Sequence, residues 1–310
     1  LPIHSACELA KPNGAVVSML ADMFPGGLQQ KDKDGNLPVH SALEVAKDAM
    51  PVEVIRKMLD MFPGAVKVKD KDKNTILHSA LECLDRNMEE VVAMIMEADP
   101  ENFAAQQKDR EGNLPIHSAC ERRKPNGAVI SMLADMFPGG LQQKDKEGNL
   151  PLHSALEVGD AMPVDIIRKL LGMFPGATAV RDRDSNLPLH CCFHANKVSM
   201  VEKAMLLLDA DPSQAVVPSK QLGSLCCWYC MQQSPSIVDL NLVRRLVVAA
   251  PPLEPWKGYD SELPLHSCIR KGRPAEVIEA IFSTLPPESQ VQVLSTFCKN
   301  SQDTQGRGEN

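Results

Sequence analysis

The sequence predicts an all-α solenoid of stacked helix pairs, and three observations support that prediction. A histidine-centred motif returns every 36 to 39 residues, with one doubled interval of 76 residues before its last copy, at His4, His40, His78, His117, His153, His190 and His266. In most copies a proline precedes the histidine by two residues and suits the first turn of a helix. Apolar residues then follow at helical spacing. A period of this length is typical of repeat proteins, in which each repeat buries its apolar face against its neighbours.

The repeat at residues 32–68 shows the predicted elements in order. Residues 32–35 form a turn in which Gly35 takes the left-handed conformation. Pro38 begins a short first helix, and Pro51 begins a longer second helix. Residues 63–64, Pro-Gly, end that helix, and an extended arm at residues 65–71 leads to the next turn. Each repeat is therefore a turn, a short helix, a longer helix and an arm.

The motif resembles the ankyrin repeat, Asp-x-x-Gly-x-Thr-Pro-Leu-His-x-Ala, over residues 1–286. The best copies are residues 32–42 and 145–155. The resemblance implies two antiparallel helices and a projecting finger in each repeat, with first helices and finger tips lining a concave groove. These repeats are three to six residues longer than the family's 33. Most of them replace the family's threonine by leucine, which removes a helix cap worth ~1 kcal/mol. Lys73 and Ser185 replace the finger glycine, which predicts looser turns. A helix-pair solenoid of another family is the alternative.

The repeat pattern also predicts the limits of the array. We expect eight repeats over residues 1–286, with the first truncated and the seventh degenerate at about residues 213–262, where Trp228 takes the histidine position. A helix at residues 287–299 should cap the stack, and the polar residues 300–310 should be disordered. Residues 1–46 match residues 114–159 at all but six positions, so a block of three repeats was duplicated. The duplication is consistent with a periodic binding face and equally with recent expansion.

Composition narrows the classes of function. A net charge of -7 argues against nucleic acid or an anionic membrane as the main partner. No apolar run reaches the ~20 residues that span a bilayer, and no secretory leader is visible. The chain begins with Leu1 inside the motif, so we expect a fragment. The 10 cysteines in 310 residues are too dilute for a disulfide scaffold, which favours a reducing cytoplasmic or other intracellular location. We expect a monomer without a cofactor.

Candidate catalytic and metal-binding residues are few. The ankyrin resemblance implies that the repeated histidine bonds backbone groups and ties one repeat to the next. A cysteine-rich stretch includes zinc-ligand spacing, at Cys191, Cys192, His194, Cys226, Cys227 and Cys230. Cys192 and Cys230 occupy a repeat position that other repeats fill with alanine. Helices of adjacent repeats lie ~10 Å apart, too far for their sulfurs to share one zinc ion. This reasoning disfavours a metal or redox site.

The most suggestive row of residues follows the histidine by four positions, at Glu8, Glu44, Glu82, Glu121 and Glu157. Stacking places these carboxylates side by side on the first helices, where they would favour a basic peptide. A solvated helix face is the alternative. We predict protein contacts at this row, at the serines one residue after the histidine, at the finger tips and at one aromatic residue: Ser41, Glu44, Ser79, Glu82, Ser118, Glu121, Ser154, Glu157, Lys33, Asp34, Lys71, Arg110, Lys146, Arg183 and Tyr229.

These features predict a non-catalytic scaffold that binds another protein or peptide along the concave face, with basic partners favoured and neither nucleic acid nor membrane as partner. A rigid surface of this kind binds without a large loss of conformational entropy. Two alternatives belong to other classes. One is a spacer or regulatory region of a larger enzyme or signalling protein, and the other is a cysteine-based metal or redox module.

Overall fold

The computed structural model describes residues 1–9, 11–44, 50–195, 198–220, 225, 229, 238–248, 264–285, 287–288 and 290–291. These residues form helices and turns without a β-strand, which confirms the all-α prediction. They fall into two compact units, which we call the first lobe (Leu1–Arg183) and the second lobe (Asp184–Asn310). Within the described ranges, no helix combines the length and the apolar character needed to cross a membrane.

The first lobe contains five helix pairs, each made of a first helix of six to eight residues and a second helix of ten. The first helices are α1 (Pro2–Cys7), α3 (Pro38–Glu44), α5 (Ile76–Cys83), α7 (Pro115–Glu121) and α9 (Pro151–Glu157). The second helices are α2 (Gly14–Met23), α4 (Val52–Met61), α6 (Met88–Glu97), α8 (Gly127–Met136) and α10 (Val164–Met173). Short 3-10 helices begin at the predicted Pro-Gly stops, at Pro25–Gln29, Pro63–Lys67, Pro138–Gln142 and Pro175–Ala179.

Successive pairs in the first lobe pack like on like. First helices contact first helices, and second helices contact second helices, along the whole series from α1 to α10. Leu43 and Leu81 on first helices and Ile55 and Ile130 on second helices are buried in these contacts. The glutamates four residues after the histidine remain exposed at the ends of α3, α5, α7 and α9. We call the surface around Glu44, Glu82, Glu121 and Glu157 the first-helix face.

Each finger begins with an aspartate that closes its own turn. The Asp32 carboxylate accepts a hydrogen bond from the Asn36 N–H at 2.8 Å, and the Gly35 N–H donates to the Asp32 carbonyl at 3.2 Å. Gly35 has a φ of 83°, and a Cβ there would lie 3.0 Å from the backbone nitrogen of Lys71 in the next finger. Glycine therefore suits both the conformation and the close approach.

The finger that carries Lys73 in place of glycine closes in the same way. Lys73 has a φ of 68°, its N–H donates to the Asp70 carbonyl at 3.2 Å, and the Asn74 N–H donates to the Asp70 carboxylate at 2.8 Å. The prediction of a looser turn at Lys73 is therefore wrong. The aspartate and the neighbouring finger hold a left-handed conformation that costs an L-residue ~1–2 kcal/mol.

Replacing Lys73 with glycine should relieve that backbone cost. We expect Lys73→Gly to raise the free energy of unfolding by ~1 kcal/mol, since part of the gain is offset by the entropy of glycine in the unfolded chain. Urea unfolding followed by circular dichroism measures the change. The converse substitution Gly35→Lys should lower the stability by at least as much, because a Cβ at position 35 would also crowd the Lys71 backbone nitrogen. A neutral or destabilising Lys73→Gly would contradict the assigned strain.

The second lobe contains α11 (Pro188–Ala195), α12 (Met200–Ala210), α13 (Leu240–Val248), α14 (Pro264–Arg270) and α15 (Ala275–Thr284). α11 packs on α12, and α13 contacts both α12 and α15. α13 lies within the degenerate repeat that the sequence predicts at about residues 213–262. Most of that repeat, most of the predicted capping helix at 287–299 and the whole tail at 300–310 lie outside the described residues.

Candidate functional site

The repeated histidine bonds in two directions at His78, His117 and His190, and there it holds the first helix in place. The Nδ1 atom of His78 accepts the Thr75 N–H at 3.2 Å, and its Nε2 lies 3.3 Å from the Asn113 carbonyl in the next repeat. His117 makes the same pair of contacts with the Leu114 N–H and the Asn149 carbonyl. Because Nδ1 accepts, the ring proton belongs on Nε2, which donates to the carbonyl. His78 and His117 thus each tie their own helix start to the following finger.

This arrangement makes His40, His78 and His117 poor candidates for a catalytic base. His40, His78 and His117 have no exposed surface, and burial lowers the pKa of all three, that of His40 to about 4. The imidazole therefore stays neutral near pH 7 and acts as a fixed hydrogen-bonding group. Its Nδ1 also caps the helix start in repeats where leucine replaces threonine, for example Leu114. The sequence alone had suggested that this end loses a cap.

The serines and glutamates of the first-helix face are joined from one repeat to the next. The Ser79 hydroxyl donates to the Glu44 carboxylate at 3.2 Å, and the Ser154 hydroxyl donates to the Glu121 carboxylate at 2.9 Å. These serines are buried, whereas the glutamate side chains reach the surface. The serines therefore position the carboxylates and have almost no surface of their own to offer a partner.

The carboxyl groups of this row are held where their charge is unfavourable. Burial raises the pKa of Glu44 to about 7, although the Ser79 hydrogen bond acts in the opposite direction. Burial also raises the pKa of Glu82 and of Glu121, and nearby aspartates at the finger bases add to the effect. These glutamate side chains are exposed, yet their carboxyl groups have lost part of their hydration. Both facts fit a carboxyl group that lies in a groove and contacts water on one side. A cation placed beside it would restore its ionised form.

Neighbouring fingers are joined by their backbones and by their charged tips. The Lys71 N–H donates to the Asp34 carbonyl at 3.1 Å, and the Arg183 N–H donates to the Glu147 carbonyl at 2.8 Å. Ion pairs link Lys71 to Asp34 at 3.8 Å and Arg110 to Asp72 at 3.1 Å. All these side chains are largely exposed, so the pairs add little stability. Much of the charge at the finger tips is therefore paired within the protein.

A ladder of hydrogen bonds from lysine side chains runs along the bases of the fingers. The Lys31 Nζ donates to the Lys69 carbonyl at 2.6 Å, and Lys108 donates to the Lys144 carbonyl at the same distance. Lys144 continues the series with the Arg181 carbonyl at 2.7 Å. Each lysine ammonium thus bonds the equivalent backbone carbonyl of the next repeat. The ladder helps to keep the fingers at a constant spacing beside the first-helix face.

The first-helix face carries a cavity of about 670 Å³ at the ends of α5 and α7. Glu82 and Glu121 contribute carboxylates to its wall, together with Asp85. A run of three cations, Arg122, Arg123 and Lys124, forms the remainder of the charged lining. The half-buried Cys83 also lines it, and burial raises the pKa of that thiol to about 11, so it is a poor nucleophile. The cavity therefore offers charge of both signs.

Comparison with known proteins identifies the fold. No protein-family model and no curated protein matches the chain by sequence. Among solved structures, the ankyrin repeat domain of Bcl-3, a member of the IkappaB protein family, matches with a TM-score of 0.51 and 16% identity, over 91% of this chain and 97% of that one. The chain has the ankyrin-repeat fold. A chain from the complex of the predatory endopeptidase Bd0816 of Bdellovibrio bacteriovorus with the immunity protein Bd3460 matches with a TM-score of 0.52 and 15% identity, over 67% of this chain and 96% of that one. At these identities the likeness concerns the fold alone.

Within this ankyrin fold, the predicted contact residues are distributed unevenly. Glu82, Ser118 and Glu121 line one cavity, and Ser118 is half-buried. Ser41, like the bonded serines, is buried. The predicted finger-tip residues all lie at the surface, namely Lys33, Asp34, Lys71, Arg110, Lys146 and Arg183. Tyr229 is fully buried, packs edge-on against Phe193 and accepts the Asp239 N–H at 2.9 Å, so its side chain has no surface for a partner.

Two groups of functional candidates escaped the sequence analysis. One is the cation run at residues 122–124, which stands out only as a mismatch between the duplicated blocks, since the first block has Leu9 where the second has Arg122. The other is the set of finger-base aspartates, whose charge reaches the first-helix face; Asp109, for example, raises the pKa of Glu82. The sequence mismatch could have indicated the cation run. The effect of the aspartates on the glutamates could not be predicted, because it depends on how each finger packs beside the first helices.

The cysteine-rich stretch shows no metal site in the part that the structure describes. Cys191 and Cys192 are buried, and burial raises the pKa of Cys192 to about 12. The other predicted ligands, Cys226, Cys227 and Cys230, lie outside the described residues. Across the described ranges, no group of three or more histidine, cysteine or acidic residues is arranged to hold a metal ion.

Proposed function

We propose that this ankyrin array is a non-catalytic protein-binding scaffold whose first-helix face binds a basic segment of another protein. Glu44, Glu82, Glu121 and Glu157 are the proposed contacts, and the exposed finger tips flank them. Ser79 and Ser154 act through the carboxylates that they orient. An enzyme activity has little support, because the repeated histidines serve as buried hydrogen-bonding groups and the Cys83 thiol has a raised pKa.

The observation that carries this proposal is the row of carboxylates on an accessible face, in which burial raises the pKa of Glu44, Glu82 and Glu121. Glu44 and Glu121 are oriented by serines of the following repeat, so their positions are set before any partner arrives. Preorganisation of this kind lowers the entropic cost of binding. A lysine or arginine from the partner would stabilise the ionised carboxylates, and binding would then release protons near neutral pH.

A displayed library of random twelve-residue peptides provides the test. We expect selection on the immobilised protein at pH 8 to enrich peptides that contain lysine or arginine. A synthetic peptide from this selection should lose at least tenfold in affinity when Glu44, Glu82, Glu121 and Glu157 are all replaced by glutamine, since several charge pairs of up to ~1 kcal/mol each disappear. Fluorescence anisotropy measures the affinity, and circular dichroism confirms that the variant keeps its helices.

The pH dependence of the same binding adds an independent check. Affinity for the basic peptide should rise between pH 5.5 and pH 8, because the Glu44 carboxyl group, whose pKa is raised to about 7, ionises over that range. The glutamine variant should bind with little change over that range. Selection of no peptide, or an affinity that the four substitutions leave unchanged, would contradict the proposed function.

A further inference from the structure

We infer that the cavity at the ends of α5 and α7 binds a partner segment carrying two opposite charges, a basic side chain against Glu82 and Glu121 and an acidic side chain against Arg123 and Lys124. This inference rests on the proposed function and specifies its partner. It concerns the cavity of about 670 Å³ in which glutamates of the acidic row and a group of cations line the same space. Charge complementarity is the physical basis of the recognition.

The last two cations of the run, Arg123 and Lys124, have no partner among the described residues. Arg123 and Lys124 are exposed, and neither forms an ion pair or a side-chain hydrogen bond with any residue that the structure describes. Lys124 also lines a second cavity of about 590 Å³ beside Asn126, so its surroundings are open on both sides. Two cations without a partner at the edge of a cavity attract a carboxylate more strongly than cations already in ion pairs.

Arg122 is committed to structure and positions the other two. Its guanidinium donates to the Leu84 carbonyl at 2.7 Å and to the Asp85 carboxylate at 2.9 Å, and the side chain is only 12% exposed. These bonds connect the loop after α7 to the end of α5. Arg122 is therefore a positioning residue that holds Arg123 and Lys124 beside the cavity, and its own charge is largely neutralised by Asp85.

The acidic part of the cavity lining is also held in place. Glu121 is oriented by the Ser154 hydroxyl, and Glu82 stands one repeat earlier on the same face. A segment lying along this face therefore meets carboxylates of successive repeats and, at this cavity, cations as well. Such a surface selects for a basic segment interrupted by one acidic residue, and it disfavours a uniformly basic one at that point.

The duplicated block supplies an internal comparison. The loop after α1 carries Leu9 and Lys11 at the positions of Arg122 and Lys124, within a sequence that is otherwise nearly identical. The first repeat therefore lacks the arginine that anchors the loop. Recognition of both charges is therefore specific to the fourth repeat. Replacing Lys11 in the first repeat provides a matched control.

The test uses the random peptide library on the wild-type protein and on the variant Arg123→Ser/Lys124→Ser. We expect the wild type to enrich peptides with an aspartate or glutamate at a fixed spacing from a lysine or arginine. A representative peptide should bind the wild type about fivefold more tightly than the variant. Changing its acidic residue to glutamine should abolish that difference. The control variant Lys11→Ser should bind like the wild type.

The outcomes separate this inference from the proposed function. If basic peptides are enriched without an acidic residue, or if the acidic preference persists unchanged in the Arg123→Ser/Lys124→Ser variant, the inference is wrong and the proposed function stands. If neither protein enriches any peptide, both fail. Urea unfolding of each variant verifies that its fold is intact, which is expected because Arg123 and Lys124 are exposed.

Discussion

Replacing His78 with alanine should lower the free energy of unfolding by ~3 kcal/mol. The ring is fully buried and bonds both the Thr75 N–H and the Asn113 carbonyl. Alanine leaves two buried polar groups short of a hydrogen bond, each at a cost of ~1–3 kcal/mol, and adds a cavity between repeats. Partial repacking and the second bond that the Asn113 carbonyl keeps with the Asp109 N–H limit the loss. Urea unfolding followed by circular dichroism measures it.

The same substitution in the first repeat is a matched control. His4 makes one contact, from Nε2 to the Asn36 carbonyl at 3.1 Å, and its Nδ1 has no hydrogen-bond partner among the described residues. We expect His4→Ala to cost about half as much as His78→Ala, because one bond is lost rather than two. Equal losses at both positions, or a loss below ~1 kcal/mol at His78, would show that the histidine ties are not what holds neighbouring repeats together.

Removing three carboxylates from the first-helix face should stabilise the protein at high pH. At pH 8 we expect the variant Glu44→Gln/Glu82→Gln/Glu121→Gln to exceed the wild type in free energy of unfolding by ~2–3 kcal/mol. Burial raises the pKa of each of these groups, that of Glu44 to about 7. Each side chain still contacts water, so we take ~1 kcal/mol per site rather than the full value of the shift.

The sign of this effect follows from proton linkage. Between the ordinary glutamate pKa of 4.5 and the raised pKa of Glu44 near 7, that carboxyl group binds more protons in the folded protein than in the unfolded chain. The contribution of such a group to stability therefore falls as pH rises through that window, whereas glutamine does not titrate. At pH 4 the two proteins should be about equally stable. The buried histidines titrate in both proteins, so their contribution cancels in the difference.

Two further measurements show whether loss of hydration is the cause. The difference at pH 8 should persist in 0.5 M salt, because salt screens interactions between charges and leaves the cost of burial in place. Glu8→Gln, at the exposed equivalent position in the first repeat, should change stability little at either pH. A triple variant that is less stable than the wild type at pH 8 would mean that the carboxylates stabilise the fold in their ionised form.

Much of the ankyrin fold could be predicted from the sequence because its signals are local and repeated. Pro38 and Pro51 lie at or beside the helix starts they predict, and the Pro-Gly pair at residues 63–64 ends α4 as expected. The periodic histidine was also correctly assigned to structure. These signals survive in a single repeat, and their recurrence in seven copies removes the ambiguity that one copy would leave.

The candidate site was only partly predictable, since it depends on contacts between repeats. The sequence indicated the register of the glutamate row, but it could not show that Ser79 is buried against Glu44 or that the pKa of that carboxyl group is raised. Tyr229 illustrates the same limit, because an aromatic residue in a degenerate repeat has similar surroundings in sequence whether it faces Phe193 or solvent. The left-handed Lys73 turn likewise depends on support from its own aspartate and from a neighbouring finger.

The sequence by itself determined the repeat length, the helix starts and stops and the residues that share one face, because these follow from backbone stereochemistry and apolar spacing within about 40 residues. Only the tertiary structure decided which of those residues are accessible, which carboxyl groups lose hydration and where Arg123 and Lys124 meet Glu82 and Glu121. Burial and electrostatic environment depend on atoms from several repeats at once, and these are brought together only when the helix pairs stack.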